Sequence, residues 1–487
     1  MKYFAPIAAV ALLFFAGCSV GPNYHRPAAL QNQPVPKGFT VVTTGTNVVV
    51  WKVAEPAASL SRGNWWEVFS NTELNHFEQL ALTNNQNLAA LAAQYEQARQ
   101  AIAIARSEFY PHITAGGTPG GDFNYQRTSV NAPDNGQPNG RSFTFNTFTA
   151  PIYMGWEIDL WGRVRRLSES AQAQFIASAD DWQSARLDVA AEVADDFFTL
   201  RTLDAQYNLV DNTIDSYRRS LELTQNLRTG GAASDLDVAQ AATVLHAAEA
   251  QLPQIRLQRA QALHALAILC GQSPVEFFVA TNFSLAATVP EIPPGLPSDL
   301  LEHRPDVAAA ERRMAAANAN IGVAEAAFFP KVTINGLAAF QSVDASSWFS
   351  WSSRLWSIGP SVQLPLFTGG LNRANLATSR AAYDQQVATY RQTVLNAFGE
   401  VEDQLAAQRL LADQYDAVNQ AVAAAQHAVD IAEDRYKDGL TTYLDVSTAQ
   451  TTALNQESSA VQLQGARLTA AVNLIKALGC TWQQPPR

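Results

Sequence analysis

Arg106-Ser107-Glu108-Phe109-Tyr110-Pro111 returns, 219 positions later, as Glu325-Ala326-Ala327-Phe328-Phe329-Pro330, and there the chain begins a second copy of itself. Two further echoes confirm the duplication. Asp159-Leu160-Trp161-Gly162 comes back as Pro365-Leu366-Phe367-Thr368 after 206 positions, and Gly231 with Leu236-Asp237-Val238 comes back as Gly439 with Leu444-Asp445-Val446 after 208. The difference in spacing falls in the Gly/Asn/Pro-rich stretch from Gly116 to Gly140, which reads as a longer loop in the first copy. Periods of about 20 to 50 residues mark solenoids, whereas a period this long marks a duplicated domain.

Both copies carry the same succession of elements. An amphipathic helix, Leu88 to Phe109 and Val307 to Phe329, ends at a proline that cannot continue it. Two apolar, β-rich segments follow, at His112 to Tyr125 and Ser142 to Leu160, then at Val332 to Val343 and Leu355 to Phe367. Next comes a proline-free run, Arg163 to Thr229 and Leu371 to Asp438, long enough to extend roughly 100 Å as a helix at about 1.5 Å per residue. A glycine turn (Gly230-Gly231; Gly439) leads into a shorter returning helix, Leu236 to Leu269 and Leu444 to Leu478. The long runs are rich in Ala, Gln, Leu and Val, which suits close antiparallel coiled-coil packing.

The bulk properties bound what such a chain does. With 487 residues, 33 Lys+Arg against 44 Asp+Glu and a formal charge of −11, it lacks the basic balance of a nucleic-acid binder. Hydrophobic residues make up 47% and charged residues only 16%, so a packed structure rather than disorder is expected. Three cysteines are too few for a disulfide framework. After the first twenty residues no run approaches the roughly 18 apolar residues of a spanning helix. A membrane crossing would therefore have to be made by strands.

The N-terminus carries an export address. Lys2 precedes an apolar run from Tyr3 to Phe15, and Ala16-Gly17-Cys18 follows, with small residues before a cysteine as in a bacterial lipobox. Phe15 stands where leucine is usual. Cys18 is thus the expected lipidation site, and Ser19 after it reads as an outer-membrane rather than an inner-membrane address. Aromatics crowd the strand segments: Phe143, Phe145, Phe148, Tyr153 and Trp156 in one copy, and Trp348, Phe349, Trp351, Trp356 and Phe367 in the other. This is the trend of outer-membrane strands with aromatic girdles, although the alternation is imperfect. Four strands cannot close a barrel, and an open edge in lipid strands backbone groups, so one barrel shared between chains is expected; a homotrimer would give twelve strands. A non-channel periplasmic coiled-coil lipoprotein with a structural or adaptor role is the alternative, and it leaves the strand pairs unexplained.

The chain resembles the TolC-like outer membrane factor family, in its lipoprotein branch. The resemblance rests on Gly21-Pro22-Asn23-Tyr24-His25-Arg26-Pro27, on Leu301-Glu302-His303-Arg304-Pro305-Asp306-Val307, on Ile321-Gly322-Val323-Ala324 leading to Phe328-Phe329-Pro330, and on Tyr436 to Asp445. It implies an α+β membrane protein whose trimer joins a twelve-stranded β-barrel to a long periplasmic α-helical barrel. It also implies an exit duct working with a periplasmic adaptor and an inner-membrane transporter of the resistance-nodulation-division (RND) type. The expected organisation is a signal peptide at 1–17, a lipidated segment and equatorial region at 18–85, repeats at 86–297 and 298–480, and a tail at 481–487. No cofactor is expected beyond the lipid on Cys18.

No HExxH, GxSxG or GxxxxGK[ST] motif is present, so an enzyme is not expected. His246 with Glu249 is the one helical His/carboxylate pair worth naming, and Cys270 and Cys480 lie at corresponding ends of the return helices and are expected to remain thiols. Acidic residues gather at the two helix turns, Asp235 and Asp237 in one, Asp438 and Asp445 in the other. Repeated threefold, Asp445 would form an acidic ring that attracts cations and raises its own pKa. The resemblance places Asp445 at the periplasmic constriction and Tyr436 in a link to the neighbouring helix pair, by way of Asp237. Thr441 and Thr448 stand where some relatives carry an arginine and a further aspartate. Gly231 and Gly439 complete the expected tips.

Overall fold

The computed structural model describes residues 19–30, 63–116, 124–132, 141–283, 285, 288–290, 292 and 303–479. Its helices are α1 (Thr72–Asn84), α2 (Gln86–Ser107), α3 (Arg163–Thr229), α4 (Asp235–Glu249), α5 (Gln251–Leu269), α6 (Pro305–Ala326), α7 (Leu371–Lys437) and α8 (Tyr443–Ala477). The strands are β1 (His112–Ala115), β2 (Asn124–Ala132), β3 (Arg141–Ile158), β4 (Lys331–Ser342) and β5 (Arg354–Gln363). The long helices α3 and α7 have 67 residues each and start and stop within a residue of the proline-free runs. The first return helix differs from expectation: it breaks at Ala250 into α4 and α5. Pro253 explains the break, since its ring has no N–H for the carbonyl of Glu249 and clashes with it. The second return helix has no proline and runs unbroken for 35 residues.

The residues fall into two compact units, and both cut across the repeats. One comprises Met1–Pro27, Tyr95–Ser178 and Ala310–Tyr390, the other Ala28–Gln94, Ala179–Ala309 and Arg391–Arg487. Each sequence copy thus contributes its strands to the first unit and its helix tip to the second.

In the first unit the strands form one antiparallel sheet in the order β1-β3-β4-β5, with β2 also on β3. β1 pairs with residues 152–155 of β3 and β2 with residues 141–149, so β1 and β2 are successive segments along one edge and the sheet is four strands wide. The register sorts side chains onto two faces, because directly paired residues share a side and alternate along each strand. On one face lie Ala150, Ile152, Met154, Trp156 and Ile158 of β3, opposite Phe340, Ala338, Gly336, Ile334 and Val332 of β4. β5 continues that face with Trp356, Ile358, Pro360 and Val362. The reverse face is mostly polar: Thr149, Tyr153 and Glu157, then Thr333, Asn335 and Gln341, then Ser357, Ser361 and Gln363. At the helical end, the Trp161 indole donates to the Pro330 carbonyl (2.8 Å) and stacks on Phe329 (4.8 Å), while the Trp156 indole donates to the Phe109 carbonyl (2.9 Å). The Phe-Tyr-Pro and Phe-Phe-Pro corners that follow α2 and α6 are thus each tied down by a tryptophan indole from the end of β3 or just beyond it.

The second unit is held by a hydrophobic core that includes Trp65, Trp66, Phe69, Leu74, Phe77, Phe197, Phe198, Leu266, Leu468 and Ile475. An ionic cluster lies beside it. Asp204, 1% exposed, accepts from Arg201 (2.9 Å), Arg259 (2.6 Å) and the Asn282 amide (3.1 Å), and Arg201 reaches Glu73 at 2.7 Å. Pro305 opens α6 as expected for the first helical position. Arg304 before it forms a fork with Asp306 (3.0 and 2.7 Å) and donates to Glu400 (2.7 Å) and the Ala477 carbonyl (3.1 Å). The Arg-Pro-Asp motif is thus a packing device joining α6, α7 and α8.

Glu78 on α1 is fully buried, and neither carboxyl oxygen has a hydrogen-bond partner among the described residues. Burial pushes its pKa well above the ordinary carboxylate value of 4.5. Above that pH the unfolded chain releases this proton while the folded chain keeps it, so the group favours unfolding increasingly as pH rises. Glu78→Gln should match the parent near pH 4 and become the more stable protein above it, gaining at most about 1.4 kcal/mol per pH unit. Thermal unfolding midpoints measured across pH 4 to 8 in roughly one-unit steps test this; parallel curves would refute it.

Candidate functional site

The helix tips of the two copies share one backbone design. The Gly231 amide donates to the Arg228 carbonyl (2.9 Å) and the Ala232 amide to that of Leu227 (2.8 Å). In the second copy the Gly439 amide donates to Tyr436 (3.0 Å) and the Leu440 amide to Arg435 (2.8 Å). Both are Schellman closures, and both glycines take the left-handed conformation they need, with φ of 76° and 71°. The returning helices begin differently. Ser234 caps α4 in a reciprocal box: its Oγ accepts from the Asp237 amide (3.2 Å), while its own amide and hydroxyl donate to the Asp237 carboxylate (both 2.8 Å). Thr442, in the equivalent place before α8, makes no side-chain cap.

Asp237 therefore spends its hydrogen bonds on Ser234 and none on Tyr436, so the expected Tyr436–Asp237 link is electrostatic only in this chain. The Tyr436 phenol is held above its ordinary value by burial, with the Asp237 charge adding to the shift and Thr224 opposing it. Tyr436 packs instead edge-to-face on Tyr443 at 5.4 Å, in a small core with Ala241 and Val446. The Tyr443 hydroxyl donates to Ser220 (3.4 Å) and the Tyr217 hydroxyl to the Gln450 carbonyl (2.9 Å). The Gln450 amide donates to Glu433 at 3.0 Å. Tyr217, Ser220, Glu433, Tyr436 and Gln450 line a cleft of about 540 Å³ between α3, α7 and α8. Tyr443 and Gln450 carried no signal in the sequence, because an aromatic or an amide on an alanine-rich helix has no local pattern that marks it. The 208-residue repeat could have marked Tyr443, since it aligns Tyr436 and Tyr443 with Arg228 and Asp235, which form an ion pair in the first copy.

Asp445 is exposed and accepts hydrogen bonds from the hydroxyls of Thr441 and Thr442. Those donors, Thr441 first, hold its carboxyl below the ordinary value within the single chain. Asp235 pairs with Arg228. Asp235, Asp237 and Asp445 thus each have a local role in closing a tip.

Cys18 lies outside the described residues, but the segment after it is firmly seated. The Val20 amide donates to the Trp161 carbonyl at 3.0 Å. The Arg166 guanidinium, almost fully buried, reaches the carbonyls of Val20 (3.3 Å) and Gly21 (3.2 Å) and the Asn23 side chain (2.9 Å). A Cβ on Gly322 would lie 2.8 Å from Arg166 and 3.0 Å from the Val20 carbonyl, so glycine is required for this approach. Tyr24 donates to Glu311 (3.1 Å), and Arg26 reaches the Tyr390 hydroxyl (3.2 Å). Cys270 is buried and free, its thiol pushed up to about 12 by burial and the Glu78 charge, and Cys480 lies outside the described residues. His246 and Glu249 pair at 2.9 Å, and no group of three or more potential metal ligands occurs among the described residues. No described helix is long and apolar enough to cross a membrane.

Residues 78–272 and 296–480 match the family of outer membrane efflux proteins. The solvent efflux pump outer membrane protein SrpC of Pseudomonas putida is 33% identical over 480 residues, 98% of either chain. The cation efflux system protein CusC of Escherichia coli is 29% identical, covering 97% of each. Among solved structures, the outer-membrane channel OprN superposes with a TM-score of 0.83 at 27% identity, over 96% of this chain and 100% of that one. The CmeC outer membrane channel of Campylobacter jejuni gives 0.82 at 25%, over 96% of each.

The unequal caps yield a direct test. Ser234→Ala should cost about 1 kcal/mol and lower amide protection in the first turns of α4, whereas Thr442→Ala should leave α8 within about 0.5 kcal/mol of the parent. Hydrogen exchange resolved by peptide distinguishes the two, and equal losses would refute the asymmetry.

Proposed function

Because the chain belongs to the outer membrane efflux protein family, we propose that three copies close a single twelve-stranded barrel and serve as the exit duct of a tripartite pump. That the protein is an outer membrane efflux channel follows from its relatives and structural neighbours. The finer assembly rests on one observation. The sheet is four strands wide, β1/β2 and β5 are its open edges, and one face is apolar across its whole width. In lipid an unpaired edge leaves each backbone group unsatisfied at several kcal/mol, and only closure removes it. The apolar face of β3, from Ile158 to Phe148, spans about 33 Å at 3.3 Å per residue, and a strand tilt near 40° reduces it to roughly the 25 Å band of an outer-membrane barrel. The polar face then lines the lumen, and three chains continue below it as an α-helical barrel.

A periplasmic adaptor and an RND-type inner-membrane transporter supply the substrate and the energy; the duct itself has no catalytic cycle. Cys18, acylated, anchors each copy to the outer membrane, and the seating of Val20 to Arg26 supports a fixed position for that anchor. The tip of α7 and α8, with Tyr436 and Asp445, is the periplasmic gate, and rotation of this pair opens it. Drugs or other small molecules are the expected cargo. Deleting the gene should sensitise the cell to members of a panel of dyes, detergents, antibiotics and metals, and unaltered susceptibility to all of them would count against efflux.

Planar-bilayer conductance of purified trimers tests the gate. Asp445→Asn should lower cation preference, and an unchanged current and selectivity would remove Asp445 from the aperture. Since the threonine donors hold the charge below its ordinary range, parent selectivity should persist to acidic pH, and Thr441→Val should shift its loss to higher pH.

A further inference from the structure

The apolar face of the sheet ends, at the loop side, in arginine. Arg354 pairs with Phe340 and so occupies the same face as Trp356, Ile358 and Val362. Its guanidinium lies 4.1 Å over the Trp351 ring and donates to the Trp351 carbonyl. Trp351 and Trp356 are 74% and 73% exposed, too open for either to be core. On β2, Arg127 pairs with Asn146, one step past the Tyr125–Phe148 pair, and is exposed on the continuation of that face. Past Phe148 the face turns polar, with Asn146 and Thr144 on β3. Arg354 and Arg127 thus bracket the level at which hydrocarbon gives way to headgroup. Neither forms an ion pair among the described residues. The acid of the β4–β5 turn, Asp344, binds Ser342 through its amide and no arginine.

A cation stacked on tryptophan, at the end of an apolar stripe and without a protein counter-ion, matches one chemistry: the phosphate of a lipid whose acyl chains cover that stripe. The planar guanidinium presents paired N–H donors to phosphate oxygens, and the stacking fixes its plane before the lipid arrives. We propose that Arg354 with Trp351, supplemented by Arg127, binds the phosphate groups of a phosphorylated glycolipid in the outer leaflet. The site rests on the barrel reading, because only a lipid-facing orientation of the apolar face puts these arginines at a headgroup. In a trimer it recurs three times around the rim and holds the barrel at a set depth.

The full-length protein, stripped of lipid in detergent and then placed in phosphatidylcholine nanodiscs with or without diphosphoryl lipid A, can be assayed by native mass spectrometry. The parent should retain diphosphoryl lipid A in preference to its dephosphorylated form. An Arg354→Gln/Arg127→Gln double variant should lose this preference by about fivefold or more, the scale of charge-assisted hydrogen bonds at a partly exposed site. Arg354→Lys should restore part of it, keeping charge without the fork. Equal retention of both lipid forms by the parent, or undiminished preference in the double variant, overturns the site. Displacement of the lipid by equimolar inorganic phosphate overturns its assignment to a lipid. Conductance separates the two readings: the double variant should conduct like the parent, and a parent that never conducts sinks the barrel and this site together.

Discussion

The unpaired backbone at the two edges of a four-stranded sheet is the constraint on which the rest of the molecule turns. In water such edges are an aggregation hazard; in hydrocarbon they are a cost of several kcal/mol per group with no solvent to relieve it. The register adds a second demand, since it gathers Ile152, Trp156, Ile334, Ile358 and Val362 on one side and Thr333, Asn335, Ser357 and Ser361 on the other. A sheet with one apolar and one polar face can satisfy both only by curling around water with its apolar side outward. Duplication supplies two hairpins per chain, and in the proposed trimer sister copies would supply the remaining rungs.

The helical corners show how one backbone plan accommodates two environments. Gly231 and Gly439 close their helices with the same hydrogen bonds and the same sign of φ. Around them the side chains diverge. The first tip joins Arg228 to Asp235 in the open, and the second buries Tyr436 against Tyr443. An exposed position tolerates an ion pair at little gain, while a buried one favours aromatic area that needs only a hydroxyl partner. Divergence between the copies therefore follows the burial of these two positions, open in the first tip and covered in the second.

Several features have no counterpart in a linear reading because they depend on groups distant in sequence. Glu78 is unremarkable on an amphipathic helix until Phe77, Cys270 and their neighbours close over it. Arg166 looks like one of three arginines at a helix start, yet it alone receives the carbonyls of Val20 and Gly21. Asp237 was the expected partner of Tyr436, but Ser234, three residues away, takes its carboxylate.

What the amino-acid order determined by itself were the local and periodic properties: the duplicated unit, the two 67-residue helices, the proline-ended corners and, within a few residues, the strand segments apart from Asn124–Ala132, most of which falls in the stretch read as a loop. These follow from backbone sterics, helix breakers and side-chain periodicity, which act over one or two turns of chain. Pro253 was the exception among the helices, a breaker inside a run read as continuous. Only the tertiary structure decided which residues share a face of the sheet, that the compact units cut across the repeats, and where each polar group at the tips finds its partner. Those outcomes depend on strand register and helix packing, in which residues about 20 to 300 positions apart compete for the same hydrogen bonds, and no local pattern encodes the winner.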